Sequence, residues 1–347
     1  MYNLCCISNE LKQQGHSFKT MTWKRFNELI ALNGRDKALY ELGERWLNNV
    51  RVTAETIRHC GKNGWGYRIS SDLFPLVTHP DADFLFSQIP QYQQIVDVLR
   101  DIAATNKDPV TGNQIVRLST HPDQFNVLAS ENIESVRKTI RELSHHAMIM
   151  DMMGCEQNYN NPINIHVNCT SGTPEDIAMR FAYWLSVAPH NVRSRLVVEN
   201  EDKGIWTVSN LLKYFWEEYG IPITFDNLHH KCNPCDLSES LAMAHCAGTW
   251  YHCNAKPLFH YSESCPNNKN KRAHAEMPTD IPPSDKYDFD IELKNKDKAI
   301  RALYLIELTH EAQSNGFYDI GPQRGPSSVA KINAETKSVN VQLKELS

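Results

Sequence analysis

Asp226 and His229 stand three residues apart at the end of a short apolar run, Pro222-Ile-Thr-Phe-Asp226-Asn-Leu-His229-His230. The run, bounded by Gly220 and Pro222, reads as a buried strand, and a turn directly after it can bring a carboxylate oxygen and an imidazole nitrogen onto one ion. Such donors suit manganese, zinc or iron. Alone, an Asp or His at a strand end is more often a turn or cap residue, so the weight rests on recurrence. His79, His121, His166, Glu199, His260 and Glu292 each fall at or just beyond the end of another predicted strand, and His274 lies in the long segment after the strand that carries His260.

The elements that must position these residues follow from hydrophobic periodicity. Strands are read at Tyr2 to Ile7, Tyr67 to Ser70, Ile115 to Ser119, Pro162 to Val167, Leu196 to Asn200, Ile223 to Asp226, Leu258 to Tyr261 and Phe289 to Leu293. Helical spacing fills the intervals: Thr22 to Cys60 with a break at Asn33-Gly34, Ile89 to Ala103, Ile133 to Met153, a helix opened by Thr173-Pro174, Val208 to Tyr219, Leu237 to Ala247, and Lys296 to Glu311. Gly61 to Gly66 and Pro109 to Gly112 read as turns. Eight strands alternating with helices predict one α/β domain, a (β/α)₈ TIM-type barrel over residues 1–312, with the site at the C-terminal mouth where all strand ends meet. Residues 262–288, with Lys269, Lys271, Arg272 and Lys286, read as an exposed insertion, and 313–347 as a polar, partly disordered tail. Imidazoles and carboxylates converging on one mouth predict a multinuclear metal site, because buried charge is costly unless ions or hydrogen bonds balance it.

Composition narrows the class without deciding the partner. The net charge of −5, from 36 basic and 41 acidic residues, argues against a protein that coats nucleic acid through general positive charge, while leaving room for local basic patches. No apolar run approaches the roughly 18 residues of a membrane span, and the N-terminus lacks the basic-then-apolar pattern of a secretory leader. A soluble, intracellular, cytoplasmic or nuclear monomer is therefore expected, its ten cysteines reduced. Cys232 and Cys235 have a zinc-knuckle gap but no second pair, which favours free thiols. His145, His146 and His245 read as ordinary core or surface histidines.

The ordered set of motifs resembles the UV damage endonucleases. The residues that carry the resemblance are Tyr67-Arg-Ile-Ser-Ser71, His79-Pro80, Arg117-Leu-Ser-Thr-His121-Pro-Asp-Gln124-Phe125, Asn164-Ile-His166, Val198-Glu199-Asn200, Phe225-Asp226-Asn-Leu-His229-His230, Phe259-His260-Tyr-Ser262, His274 and Asp290-Ile-Glu292. The resemblance implies a barrel related to endonuclease IV and a manganese cluster, with zinc, magnesium or cobalt as alternatives. It implies incision of damaged double-stranded DNA immediately 5′ to cyclobutane dimers and (6-4) photoproducts, and at abasic sites, leaving a 3′ hydroxyl and a 5′ phosphate. His79, His121, His166, Glu199, Asp226, His229, His260, His274 and Glu292 then correspond to the metal ligands, with Glu199, Asp226, His229 and Glu292 central to catalysis. Gln124 and Phe125 correspond to the pair that probes the DNA opposite the lesion.

The chain departs from the family in three places. Phe125 stands where Tyr is usual, keeping the stacking face without the hydroxyl. Asn3, Leu4 and Ser8 stand where a Gly-Tyr pair and then Asn are usual. Leu258 stands where the family can carry a modified, metal-bridging lysine, with Lys256 displaced by two positions. A sugar isomerase or epimerase on a similar barrel, and a DNA-damage binding protein without catalysis, are the rival expectations.

Overall fold

The eight apolar segments form short strands buried on both faces, the pattern of a parallel sheet covered by helices. The computed structural model describes residues 1–314 except Gln124, Ser284 and Asp285. The strands are β1 (Tyr2–Cys5), β2 (Gly66–Ile69), β3 (Leu118–Thr120), β4 (Ile163–Ile165), β5 (Leu196–Glu199), β6 (Ile223–Thr224), β7 (Leu258–Tyr261) and β8 (Asp288–Ile291). They run parallel in the order β6-β5-β4-β3-β2-β1-β8-β7. The remaining seam, between β6 and β7, is joined by a parallel bridge from Asp226 to His260, with the His260 amide donating to the Phe225 carbonyl at 2.9 Å. The expected barrel is thus present, and its last seam is closed by two of the candidate ligands.

Helices Trp23–Asn33 and Arg35–Asn63 meet at the anticipated Asn33-Gly34 break. The second runs through the turn expected from Gly61 and ends at Gly64, whose φ of 69° is the left-handed cap that glycine adopts without strain. Thr173 caps its helix by accepting from the Asp176 amide, with Pro174 in the first turn. Val208 to Tyr219 is helical but interrupted by a π turn at Leu212–Trp216. Strand β3 begins three residues later than the sequence reading, because the Asn106 side chain binds both the Val116 amide and its carbonyl, at 2.8 and 2.9 Å. Those groups are therefore lost to the sheet ladder. Short helices at Asn9–Gln13 and Asn227–Cys232 were not signalled by periodicity.

The barrel interior is polar. Asn3, Arg68, Ser119, Asn164 and Asp290 lie at inward-facing strand positions and contact one another or the site. Gly66 makes room for this lining: a Cβ there would stand 2.1 Å from Asn3 Oδ1. The segment between β7 and β8 is a tied strap rather than a free excursion. Its Glu263 accepts from the Thr279 and Asp280 amides, Ala275 accepts from the Lys294 amide, and Arg272 pairs with Asp202 at 2.6 Å. The tail beyond Ser314 lies outside the described residues. Among those described, no helix is long and apolar enough to cross a membrane.

At the N-terminal floor of the barrel Asp288 binds Arg117 at 2.9 Å and Lys256 at 2.9 Å. Asp288→Ala would leave the buried Arg117 guanidinium without its carboxylate and should lower stability by about 3 kcal/mol, read from the midpoint of urea unfolding. An unchanged midpoint would show that the floor pair contributes nothing net.

Candidate metal centre

Strand β5 ends in Glu199, whose carboxylate is 1% exposed and stands at the centre of the mouth. His121, just past β3, approaches it through Nε2 at 3.2 Å, and His166, just past β4, through Nε2 at 3.9 Å. His229 Nδ1 lies 3.1 Å and His260 Nδ1 3.2 Å from the same carboxylate. Asp226 caps the helix Asn227–Cys232 by accepting from the His229 amide at 2.7 Å. That capping bond is the turn by which residues three apart converge. Glu292 Oε1 stands 3.5 Å from His260 Nδ1, and His274 Nε2, carried in by the strap, 3.9 Å from Glu292 Oε2.

Donor atoms close enough to share an ion form three linked groups: His121, His166 and Glu199; Glu199, Asp226 and His229; Asp226, His260 and Glu292. Glu199 and Asp226 each belong to two groups, as bridging carboxylates would. His274 adjoins the third group through Glu292. His79 joins none of them: it stacks on Trp23 at 4.6 Å, and its Nδ1 accepts from the Asp81 amide. That bond puts the neutral ring's proton on Nε2. Phe125 is 74% exposed beside His79 and Asp123 in a neighbouring cleft of about 230 Å³. Gln124 lies outside the described residues.

The donor set fits a divalent ion. His121 and His274 direct Nδ1 at the backbone carbonyls of Pro122 and Glu292, at 2.9 and 2.8 Å, which turns each Nε2 toward the carboxylates of the mouth. Asp226 Oδ2, His260 Nδ1 and His166 Nδ1 are buried without a hydrogen-bond partner. Electrostatics point the same way. Burial would raise the Glu199 carboxyl, but His260 and His166, with bonds from His121 and His229, hold it well below the usual carboxylate range. Asp226 is pushed up, chiefly by burial, despite His229. Burial lowers the His166 imidazole to about 4, keeping it neutral, as a ligand must be. Glu201, just outside the ring, is raised to about 7 by burial. Cys232 and Cys235 are half-buried free thiols, and no cysteine joins a potential ion group among the described residues.

Three residues of the site stand inside motifs quoted from the sequence but were given no role there. Asn164 donates to Glu199. Asp290 accepts from Asn3 at 2.9 Å and faces His260 Nε2 at 3.6 Å, orienting the ring that Glu199 meets on its other edge. Arg68 binds Glu292 at 2.5 Å and lies 3.7 Å from Asp290. The available signal was parity: Arg68 and Ser70, Asn164 and His166, Asp290 and Glu292 sit two apart, so each pair faces the same side of its strand.

Similarity to known proteins bears on the family and the fold. A family model described as UV-endonuclease UvdE matches residues 2–320. A UV DNA damage endonuclease of Bacillus cereus (strain G9842) is 28% identical over 298 residues, covering 83% of this chain and 88% of the relative. One of Bacillus mycoides (strain KBAB4) is 29% identical over 301 residues, with the same coverages of 83% and 88%. The crystal structure of SacUVDE superposes with a TM-score of 0.70 at 26% identity, covering 89% of this chain and 98% of that one. Endonuclease IV from Thermus thermophilus, at 17% identity and a TM-score of 0.50 over 74% of this chain and 94% of that one, shares the fold.

Glu199→Gln keeps the volume of the central side chain and removes its charge. Manganese retained after dialysis should fall, by tenfold or more in affinity on the order expected for a lost carboxylate ligand, with the circular dichroism unchanged. Full metal content in the variant would remove Glu199 from the ligand set.

Proposed function

The chain belongs to the UV-endonuclease UvdE family, and from that premise we propose that it is a manganese-dependent repair endonuclease that incises double-stranded DNA immediately 5′ to ultraviolet photoproducts, leaving a 3′ hydroxyl and a 5′ phosphate. The observation that carries the metal requirement is the chain of three donor groups sharing Glu199 and Asp226 at one barrel mouth, with buried donor atoms left unpartnered. Divalent ions held there would lower the pKa of bound water, align a phosphodiester and neutralise the departing alkoxide.

The side chains divide the remaining work. Glu199 and Asp226 would hold the ions, with His121, His166, His229, His260 and His274 completing the set. Despite burial, neighbouring carboxylates raise the His229 imidazole and bring that of His260 to about 9, so an ion bound there would displace their protons. Asn164 and Asp290 face Glu199 and His260 from behind. His79 would enter the cluster only after leaving Trp23 and the Asp81 amide. Leu258 offers no bridging oxygen, and Lys256 is committed to Asp288 at the opposite end of the barrel. The cluster is therefore smaller than one with a bridging lysine. Selection of damage rests on deformability: a photoproduct weakens pairing and stacking, so extruding it costs less than extruding normal bases, and Gln124 and Phe125 enter the vacated space. The exposure of Phe125 leaves its ring face free to stack.

With manganese and end-labelled duplex carrying one photoproduct, the protein should cut selectively on the 5′ side of the lesion, and chelator should abolish the cut. Binding without cleavage, or turnover of a ketose sugar with damaged DNA left intact, would reverse the assignment.

Phe125→Ala removes the stacking platform and touches no ligand group. Preference for damaged over undamaged duplex should weaken by about 1 to 3 kcal/mol, with manganese content unchanged. Intact discrimination accompanied by metal loss would show that Phe125 supports the site instead.

A further inference from the structure

The segment between β3 and the helix Ile133–Met152 carries both a candidate ligand, His121, and the probe Phe125, and it is tied to that one helix on either side of them. Before His121, the Thr120 side chain faces the helix, with Oγ1 2.8 Å from His146 Nδ1. His146 Nε2 in turn lies 3.2 Å from Glu142 Oε1. After Phe125, the Val127 amide donates to Thr139 Oγ1 at 3.0 Å. Thr139, Glu142 and His146 stand three and four residues apart, which puts them in one row along the helix. We propose that this polar row positions the loop, with His146 the residue that sets His121 through Thr120, so that metal binding and damage probing share one support. The inference rests on the reading of the mouth as the metal centre of a damage-directed endonuclease.

On its β4 side the sheet holds this strand end by little. β3 has three residues, and a single register pair, Thr120 with Ile163, joins it to β4. The Thr120 amide donates to the Pro162 carbonyl at 3.1 Å, so the side-chain bond to His146 is a second fixed point at the same residue. Because His121 follows directly, a shift of Thr120 on the helix is carried to its imidazole, whose Nε2 stands 3.2 Å from Glu199. The chain of bonds has a fixed direction. Burial would raise the Glu142 carboxyl, but the bond from His146, with the neighbouring Thr78 hydroxyl adding to it, brings it down to about 2, so it only accepts. His146 therefore donates through Nε2, and in the neutral ring Nδ1 accepts from the Thr120 hydroxyl. Both residues are buried, where an unmade bond leaves a polar group without water to replace it. Glu142 also lines the cleft that holds His79 and Phe125, so the same row borders the probe directly.

Two affinities of full-length protein test this: that for manganese, by calorimetry, and, in chelator, the ratio of affinities for duplex with and without one photoproduct. Neither depends on incision. Thr120→Val keeps the shape of the side chain and removes the hydroxyl. It should lower manganese affinity and the damage ratio together, each by roughly threefold to tenfold, at the lower edge of what losing a group bonded directly to a ligand costs, at a temperature where its circular dichroism matches wild type. Thr120→Ser, which keeps a hydroxyl, should stay near wild type in both. His146→Ala should follow Thr120→Val, which carries the test if the His146 variant does not fold. A lower melting temperature with both affinities at wild-type values would overturn the proposal and leave the row a matter of stability alone. So would loss of manganese affinity in Thr120→Val with the damage ratio intact, or a Thr120→Ser variant as impaired as Thr120→Val. A wild type that binds no manganese and does not distinguish the damaged duplex would instead overturn the endonuclease reading, and this inference with it.

Discussion

Four carboxylates share the mouth of this barrel, and their mutual repulsion in a space largely shielded from water is the constraint around which the rest is arranged. Glu199, Asp226 and Asp290 are each about 1% exposed. Carboxylates this close and this dry persist only where positive charge or strong donors compensate them. Glu199 receives Asn164 and is ringed by imidazoles, which hold it ionised. Asp226 has one oxygen spent on a helix cap and the other unpartnered, and burial pushes its carboxyl up. The protein thus compensates Glu199 and leaves Asp226 short, a deficit that the proposed divalent ions would make good.

That deficit is coupled to the fold. The seam between β6 and β7 is closed by the backbone bridge from Asp226 to His260, both members of the donor groups. A displacement of either strand would misplace two donors, so precision at the site and closure of the barrel are one requirement. The strap between β7 and β8 adds to this by delivering His274 to Glu292 and by anchoring Arg272 to Asp202 beyond β5. Arg272, legible in sequence only as a surface cation, already has a partner within the protein. Lys269 and Lys271 remain exposed on the same strap, available to phosphate.

What could be read from sequence was the set of groups at strand ends, because a parallel barrel collects every C-terminal strand end at one mouth whatever the exact register. Seven of the nine residues read as ligands fall into the three donor groups, and His274 reaches their edge. His79 shows the limit: its residue type and its place after β2 were legible, but the path of a long loop was not, and stacking on Trp23 decides where its ring sits. Arg68 and Asp290 stood inside quoted motifs but were left without a role for another reason. A charged residue inside a short apolar strand has no local signature, and its partners come from strands distant in the chain: Asn3 and Asp290 are register partners across β1 and β8, as Arg68 and Ser119 are across β2 and β3. The late start of β3 depends likewise on one side chain, Asn106, capturing a backbone pair that the apolar pattern assigns to the sheet.

The two ends of the barrel solve one electrostatic problem in opposite ways. At the floor a single carboxylate, Asp288, is met by the side-chain cations of Arg117 and Lys256, both fixed by the chain itself, and burial is outweighed so that the carboxyl stays low. No exchangeable ion is called for there, and the arrangement serves stability. At the mouth four carboxylates meet one guanidinium and a ring of imidazoles, of which burial lowers His166 to about 4 while, despite burial, Glu199 and Glu292 raise His260 to about 9. Leu258 and His260 occupy successive inward positions of β7, opposite Asp288 and Asp290 on β8, so the boundary between the two regimes lies within a single strand pair. Leucine at the lower position insulates the mouth from the floor cations. Lys256, which could have brought charge upward, is held below by Asp288. The shortage of protein-borne positive charge is therefore confined to the end where the loops of a barrel give access to substrate, and there the proposed ions would neutralise the cluster and act on the substrate together.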